Sequence, residues 1–160
     1  MLILKDDVVV DDGRVLAESE LPAAPSPALF PLAAWLARRA HDGATADGVL
    51  VGPQDELEAA WPRLRAAALI AIEFTPFSDG RGYSLARILR RRGYTGELRA
   101  LGEIGRDQVS LLRRCGFTAY AVRDAAHAAE LRAGLGAPFA VYQPAADGRT
   151  PIARLRAARA

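Results

Sequence analysis

One seven-residue stretch decides the fold: Leu89-Arg90-Arg91-Arg92-Gly93-Tyr94-Thr95, which recurs almost residue for residue as Leu112-Arg113-Arg114-Cys115-Gly116-Phe117-Thr118. Each copy has the basic last turn of a helix, a glycine able to adopt the left-handed conformation as a cap, and an apolar residue that packs back before a strand. A weaker third copy is Leu131-Arg132-Ala133-Gly134-Leu135-Gly136. This repetition predicts consecutive βα units.

Apolar stretches alternate with helical patterns from about Gly48 onward. The predicted strands cover residues 49–51, 69–72, 97–101, 119–122 and 139–142. Three helical patterns lie between them. The first begins at Pro53, the second carries Leu85, Ile88 and Leu89, and the third carries Leu111, Leu112 and Cys115. We therefore expect an α/β protein with a mainly parallel sheet. The sheet is either open and doubly wound or part of a β/α barrel, since five units are too few for a closed eight-stranded barrel.

The chain before this core predicts a small N-terminal β-hairpin in residues 1–20. Val8-Val9-Val10 and Val15-Leu16 are its β-prone pieces, and Asp11-Asp12-Gly13 supplies the turn. Residues 21–47 are predicted as a Pro/Ala linker and a helix that runs from Pro31 to about Ala40. Residues 48–143 are then the βα-repeat core and 144–160 a C-terminal tail, all within a single domain.

Composition limits the function classes. The 160 residues are 51% hydrophobic and 25% charged with a net charge of +2, which is ordinary for a globular protein and gives no basic stripe with interleaved aromatics for nucleic acid. No apolar run approaches the ~20 residues that span a bilayer, and the N-terminus does not read as a signal peptide. The single cysteine, Cys115, fits a reducing compartment. We expect a cytoplasmic protein that binds neither membrane nor nucleic acid.

The strongest candidate site follows the second predicted strand of the core. Loops at the carboxyl ends of parallel strands meet at one edge of the sheet, where α/β proteins bind ligands. The loop Asp79-Gly80-Arg81-Gly82-Tyr83-Ser84 has the parts of an anion cradle: two glycines for close backbone approach, Ser84 as a helix cap, and Arg81 as a bidentate donor. The same residues are equally consistent with a tight turn in which Ser84 caps the helix and Asp79 pairs with Arg81.

Other residues at this edge offer weaker chemistry. Arg123 is a further candidate for ligand binding, and Glu103 is a weak candidate for a catalytic acid or base. Asp107 reads as the N-cap of a helix beginning near Gln108. The carboxylates of Asp79, Glu103 and Asp107 have unrelated spacings that predict no metal site.

Cysteine and histidine chemistry is not indicated. Cys115 shares a helical face with Leu111 and Leu112, so we expect a buried, inert thiol. His41 and His127 have no Ser, Cys or second His at a spacing useful for a triad or a zinc site.

The run from Leu69 to Asp124 resembles a proteobacterial family of unknown function, number nine-three-four. The residues that carry the resemblance are Phe77, Asp79-Gly80-Arg81-Gly82-Tyr83-Ser84, Ala86-Arg87, Leu89-Arg90, Gly96-Glu97-Leu98-Arg99-Ala100, Gly102, Asp107-Gln108 and Arg114-Cys115-Gly116-Phe117. The chain departs from the family pattern at Thr75-Pro76, where the family resembles Phe-Pro-x-Phe ahead of the loop, and at Glu103-Ile104, where it favours Asp-Val.

The resemblance implies a role in sulfur metabolism. Members of the family carry the label of a probable oxidoreductase involved in sulfite reduction and are typically encoded beside sulfite reductase. Sulfite reduction transfers six electrons and uses sirohaem with an iron–sulfur cluster, and this chain has no cofactor motif and too few cysteines for a cluster. We therefore expect an accessory protein without a cofactor that acts with sulfite reductase, or with another sulfate-assimilation protein, and is not itself the catalyst.

Two hypotheses stay open at this point, and with them the question of whether the protein is an enzyme. The first is the accessory protein of sulfate and sulfite reduction. The second is a small-molecule enzyme or binder that holds a small anion at loop 77–84, in a pocket lined by Asp79, Arg81, Tyr83, Glu103 and Arg123. A second copy of the chain could cover an exposed sheet edge, so a homodimer is also expected.

Overall fold

The computed structural model describes residues 1–17, 27–42, 47–74, 79–136 and 141–158. Within these residues the secondary-structure elements are β1 (Leu2–Lys5), β2 (Val8–Asp11), β3 (Val15–Leu16), β4 (Ala28–Pro31), α1 (Leu32–Asp42), β5 (Gly48–Val51), α2 (Leu57–Leu64), β6 (Leu69–Phe74), α3 (Arg81–Arg91), β7 (Glu97–Gly102), α4 (Arg106–Cys115), β8 (Ala119–Ala121), α5 (Ala125–Gly136) and α6 (Ile152–Ala157). None of the helices in these ranges has the length and apolar character that crossing a membrane requires.

The strands form one sheet in the order β2-β1-β8-β7-β6-β5-β4-β3. Strands β3 to β8 are parallel to one another, and β1 and β2 join antiparallel. Each successive strand from β4 to β8 adds to the same side of the one before it, so right-handed crossovers place their helices on one face of the sheet. The predicted α/β class is confirmed, and of its two alternatives the structure has the partial barrel.

Alternate residues of each strand pack on opposite faces. Ile70 and Ile72 of β6 join the main core beneath the helices, whereas Leu69 and Ala71 belong to a smaller cluster with Leu101 of β7. The main core is therefore the layer between sheet and helices. The smaller cluster occupies the face that the helices leave open.

A short connection forces the sheet to curl. Strands β2 and β3 lie at opposite edges, yet Asp11 and Val15 are only four residues apart. Four peptide units reach at most about 14 Å, whereas a flat sheet of this many strands is about 33 Å wide. The two edges must therefore approach each other, and residues 12–14 form a strap between them across the open face.

An ionic network fastens the strap to the sheet. Arg99 of β7 points to the open face, and only 1% of its side chain is exposed. Its Nη1 lies 2.6 Å from Asp12 Oδ2, and its Nη2 lies 2.7 Å from Glu97 Oε1. Lys5 extends the network to Glu97 at 2.7 Å, and Arg14 pairs with the other oxygen of Asp12. Because each carboxylate meets two cations, the buried guanidinium charge is compensated.

The N-terminal hairpin exists, but the predicted pairing within it is wrong. Strand β2 pairs with β1, and the turn is Asp6-Asp7, both with positive φ (49° and 62°). A two-residue turn in which both residues have positive φ twists in the same sense as the strands that it joins. Asp adopts positive φ more readily than most other residues with a side chain. Val15-Leu16 instead forms β3 at the opposite edge of the sheet. Gly13, expected to form the hairpin turn, has positive φ within the strap.

Three other predicted elements are altered. Pro31 ends strand β4, and the helix begins one residue later, because β4 pairs in register with β5 up to that residue. Residues 139 and 140 of the fifth predicted strand lie outside the described residues, and Val141 and Tyr142 are not in a strand. Most of the predicted Pro/Ala linker also lies outside them. The tail contains the short helix α6.

The repeated turns end their helices as predicted in two cases of three. Gly93 and Gly116 have φ of 87° and 106°, the left-handed conformation that glycine adopts without strain. Gly134 does not cap a helix, because α5 continues to Gly136. A Cβ on Gly134 would lie 2.3 Å from the carbonyl oxygen of Arg106, so this glycine allows α5 to approach the start of α4.

The buried faces of α3 and α4 are rotated from those predicted. Ala86 and Leu89 are buried on α3, and Leu112 and Cys115 are buried on α4. Ile88 and Leu111, predicted to share those faces, are 39% and 50% exposed. The expected burial of the Cys115 thiol is confirmed, and that burial raises its pKa.

We predict that Asp12→Ala lowers the free energy of unfolding by about 3 kcal/mol, because it removes one partner of the buried Arg99 guanidinium. Urea denaturation of the two proteins measures the difference. Asp11→Ala is the matched control, since Asp11 is exposed and its carboxylate contacts the N-terminal ammonium and the backbone N–H of Gly13 rather than Arg99. Equal stability of wild type and Asp12→Ala would show that the strap is not held by this pair.

Candidate functional site

The carboxyl ends of β4 to β8 form one edge of the curled sheet, which we call the strand-end edge. Residues 75–78 of the predicted loop, including Phe77 and Ser78, lie outside the described residues. The described part of the loop begins at Asp79 and leads directly into α3, whose first residue is Arg81. The predicted site therefore lies where β6 is followed by α3.

Asp79 and Arg81 form a closed ion pair. Arg81 Nε lies 2.9 Å from Asp79 Oδ1, and Arg81 Nη2 lies 2.7 Å from Oδ2. The backbone N–H of Arg81 also donates to Oδ1, at 3.0 Å. The side-chain and backbone hydrogen bonds of Arg81 lower the pKa of Asp79 to about 2. Asp79 thereby accepts a hydrogen bond from a backbone amide in the first turn of α3. The guanidinium group of Arg81 is turned back to Asp79, just before the helix.

Ser84 is not the N-cap of α3. Gly80 occupies that position, and Ser84 lies exposed within the helix, three residues after its start. Asp79 supplies the side-chain oxygen that the prediction assigned to Ser84. The tight-turn interpretation was thus correct in its ion pair and wrong in its cap.

The two glycines of the motif have different environments. A Cβ on Gly80 would meet nothing within 4 Å, so backbone near it is open to a ligand or partner. Gly82 is buried, and a Cβ there would lie 2.7 Å from Phe74 Cζ. Tyr83 packs edge-on against the same ring, with centroids 5.1 Å apart. Gly82 and Tyr83 therefore serve the packing of α3 on β6, and burial raises the pKa of Tyr83.

A shallow cleft of about 300 Å³ lies beside the ion pair. It is formed by the ends of β4, β5 and β6 and the start of α3. Its ionisable residues are Asp55, Glu73, Asp79 and Arg81. Asp55 Oδ2 accepts the backbone N–H of Gly52 at 2.7 Å, which shapes the turn after β5. Three acidic residues and one basic residue make this cleft negative.

Glu103 and Arg123 do not line that cleft. Glu103 is exposed after β7, and its backbone N–H is 3.4 Å from the carbonyl oxygen of Phe74. Arg123 is exposed after β8. Asp107 is not an N-cap, because α4 begins at Arg106 and Gly105 precedes it. Of the five residues predicted to line one pocket, the structure brings Asp79 and Arg81 together in the cleft.

A buried histidine organises the far part of this edge. His127 Nε2 lies 2.8 Å from the carbonyl oxygen of Ile104, and its Nδ1 accepts the backbone N–H of Arg123 at 3.3 Å. The Nε2–H tautomer satisfies both contacts. His127 thus joins the loops after β7 and β8. Sequence reasoning missed this role, since only the fold brings residue 104 to residue 127.

The described residues contain no group of three His, Cys, Asp or Glu side chains arranged to hold a metal ion. The ionisable side chains that line the cleft are the exposed Asp79–Arg81 pair and the carboxylates of Asp55 and Glu73. Such a set can bind cationic or hydrogen-bonding groups of a ligand or partner.

The fold and the strand-end edge define a curled, mainly parallel α/β half-barrel with helices on one face. Comparison with protein-family models places residues 48–153 in one family, described as bacterial protein of unknown function (DUF934). Since the match covers well over half of the chain, the protein belongs to this family. The comparisons with curated proteins and with solved structures gave no match.

We predict that the carboxyl group of Asp79 titrates with a pKa near 2 and that Arg81→Ala raises this pKa towards the ordinary aspartate value near 4. Because the pKa is depressed in the folded state, the pair stabilises the turn above pH ~4 and loses this effect as the pH falls towards 2. NMR titration of the side-chain carboxyl carbon measures it. An unchanged pKa in Arg81→Ala would contradict the pairing.

Proposed function

We propose that the protein is an accessory protein of assimilatory sulfite reduction that binds sulfite reductase and is not itself the sirohaem catalyst. The observation that carries the proposal is that Arg81 is both exposed and held in place by an ion pair. Its side chain is 59% exposed, and its fork is already held by Asp79. A preorganised, exposed ion pair on a rigid helix start is suited to recognising a protein surface.

The residues of the chain support an accessory role over catalysis of sulfite reduction. That reaction needs six electrons delivered through a sirohaem and an iron–sulfur cluster. Clusters of this kind are normally held by four cysteine thiolates, and the chain has one cysteine, which is buried. The resemblance in residues 69–124 supports a role in the same pathway, and a role beside the reductase agrees with both considerations.

The charge of the cleft argues against the alternative of a small anionic ligand. Asp55, Glu73 and Asp79 outnumber Arg81, and an incoming anion would have to compete with Asp79 for the guanidinium. Like charges facing a ligand disfavour its binding. Binding of a partner protein does not require the cleft at this edge to hold an anion.

The test is native mass spectrometry of the tagged protein, purified gently from its own bacterium grown with sulfate as the sole sulfur source. We expect a complex that contains a sulfite-reductase polypeptide. Arg81→Ala should reduce the recovered complex, and Arg65→Ala, an exposed arginine at the end of α2, should not.

Two outcomes would contradict the proposal. A bound small molecule on a chain without a partner would support the alternative function. A bare chain, recovered while sulfite reductase is abundant in the same cells, would remove the partner role.

A further inference from the structure

The repeated last turn of α3 and α4 contains two consecutive arginines with different surroundings. The first arginine of each copy points to the next helix. Arg90 Nε and Nη2 donate to the carbonyl oxygen of Gly116 at 3.0 and 2.7 Å, and its Nη1 donates to the carbonyls of Tyr94 and Gly96. Arg113 Nη2 donates to the carbonyl of Leu135 at 2.9 Å. These arginines fasten the end of one helix to the end of the next.

The second arginine of each copy is oriented differently. Arg91 is exposed on α3, and Arg114, its counterpart on α4, is half-buried and donates to the carbonyl of Gln143 at 3.0 Å in an exposed contact. Ile88 and Leu111 precede these arginines by three residues in both copies, so each pair shares a helical face. Because α3 and α4 are neighbours, the repeat places two exposed aliphatic side chains near Arg91 and Arg114.

Charge is concentrated on these two helices. They contain seven arginines and one acidic residue, Asp107, and so carry a net charge of +6. The whole chain carries +2, which leaves −4 for all other residues. The low net charge therefore conceals a strong separation of charge.

A groove of about 370 Å³ borders the same surface. Arg87, Arg90 and Arg91 form one wall, and Pro144, Ala145 and Ala146 form the other. The hydrogen bond from the backbone N–H of Ala146 to the carbonyl of Arg114, at 3.1 Å, fixes this segment against α4. A carboxylate entering the groove would meet Arg87 and Arg91. We call the groove together with Ile88, Arg91, Leu111 and Arg114 the α3–α4 face.

We propose that the α3–α4 face docks an acidic surface of a partner protein, with Ile88 and Leu111 buried at the contact and the arginines facing carboxylates. This inference rests on the proposed accessory function and adds the surface that the partner uses. Arg81 begins α3, so the same partner can also reach Arg81 and the negative cleft beside it, with uncharged or basic groups that lie outside its acidic surface.

A protein fits the face better than the other occupants. Exposed Ile88 and Leu111 gain from burial against apolar groups, which a phosphate backbone does not offer, and the face has no aromatic side chain for base stacking. A second copy of the chain that docked through the same face would bring like charges together. An acidic protein complements both the charge and the apolar residues.

The test is photo-crosslinking in the native bacterium with p-benzoylphenylalanine in place of Ser84, which is exposed on α3. The same probe at Ala59, exposed on α2, is the positional control. The charge-reversal variant Arg87→Glu/Arg91→Glu leaves Arg90 intact, and Arg63→Glu/Arg65→Glu makes the same change in charge on the α2 side. Melting temperatures and the milder variant Arg87→Gln/Arg91→Gln show whether losses come from unfolding.

We expect an adduct from position 84 to a protein of low isoelectric point, identified by its peptides, and none from position 59. Arg87→Glu/Arg91→Glu should reduce the adduct at least roughly tenfold, because it replaces attraction with like-charge repulsion. The glutamine variant should reduce it less, and Arg63→Glu/Arg65→Glu should leave it unchanged.

The outcomes separate this inference from the proposed function. An adduct to a different acidic protein would support the face and reject sulfite reductase as the partner. An adduct to nucleic acid, no adduct, or an adduct that survives Arg87→Glu/Arg91→Glu in a folded protein would overturn the face. Co-isolation of sulfite reductase would in that case still support the accessory role.

Discussion

The four-residue path from Asp11 to Val15 is the constraint on which the rest of the architecture depends. It holds together two strands at opposite edges of the sheet, and so the sheet must curl. The curl leaves an open face that the helices do not cover, and the strap residues and the buried Arg99 network fill part of it. The same curl draws the carboxyl ends of the strands towards one another. The cleft beside Asp79 lies among the carboxyl ends of three neighbouring strands, β4, β5 and β6.

The repeated turns were sufficient to predict much of the fold from the sequence. Local chemistry determines the glycine caps at Gly93 and Gly116 and the alternation of strands with helices. Such local features can be read from the sequence alone. The N-terminal pairing could not be predicted this way, because Asp11-Asp12-Gly13 is a stronger local turn signal than Asp6-Asp7. The sheet contacts of β1 with β8 override that signal. Tertiary contacts likewise leave Ile88 and Leu111 exposed, since an apolar pattern alone does not fix which side of a helix is buried.

The place of the candidate loop in the fold was predictable from the sequence, and its contacts were predictable only in part. The alternation of strands and helices placed the loop after β6, and the Asp79–Arg81 pair belonged to one of its two interpretations. The cleft also contains Asp55 and Glu73, which lie 18 residues apart in sequence and meet because β5 and β6 pair in register. Composition also does not show the separation of charge. A net charge of +2 gives no information about which helices carry the arginines.

The proposed accessory role rests on the paired Arg81 at the strand-end edge, and the proposed docking surface rests on the arginines and exposed aliphatic residues of α3 and α4. The most direct test of a role in sulfite reduction is the growth rate of a deletion strain on defined sulfur sources. The account predicts slow growth on sulfate and on sulfite, normal growth on sulfide or cysteine, and recovery when the gene is restored. Normal growth on sulfite, or an equal defect on sulfide, would contradict it.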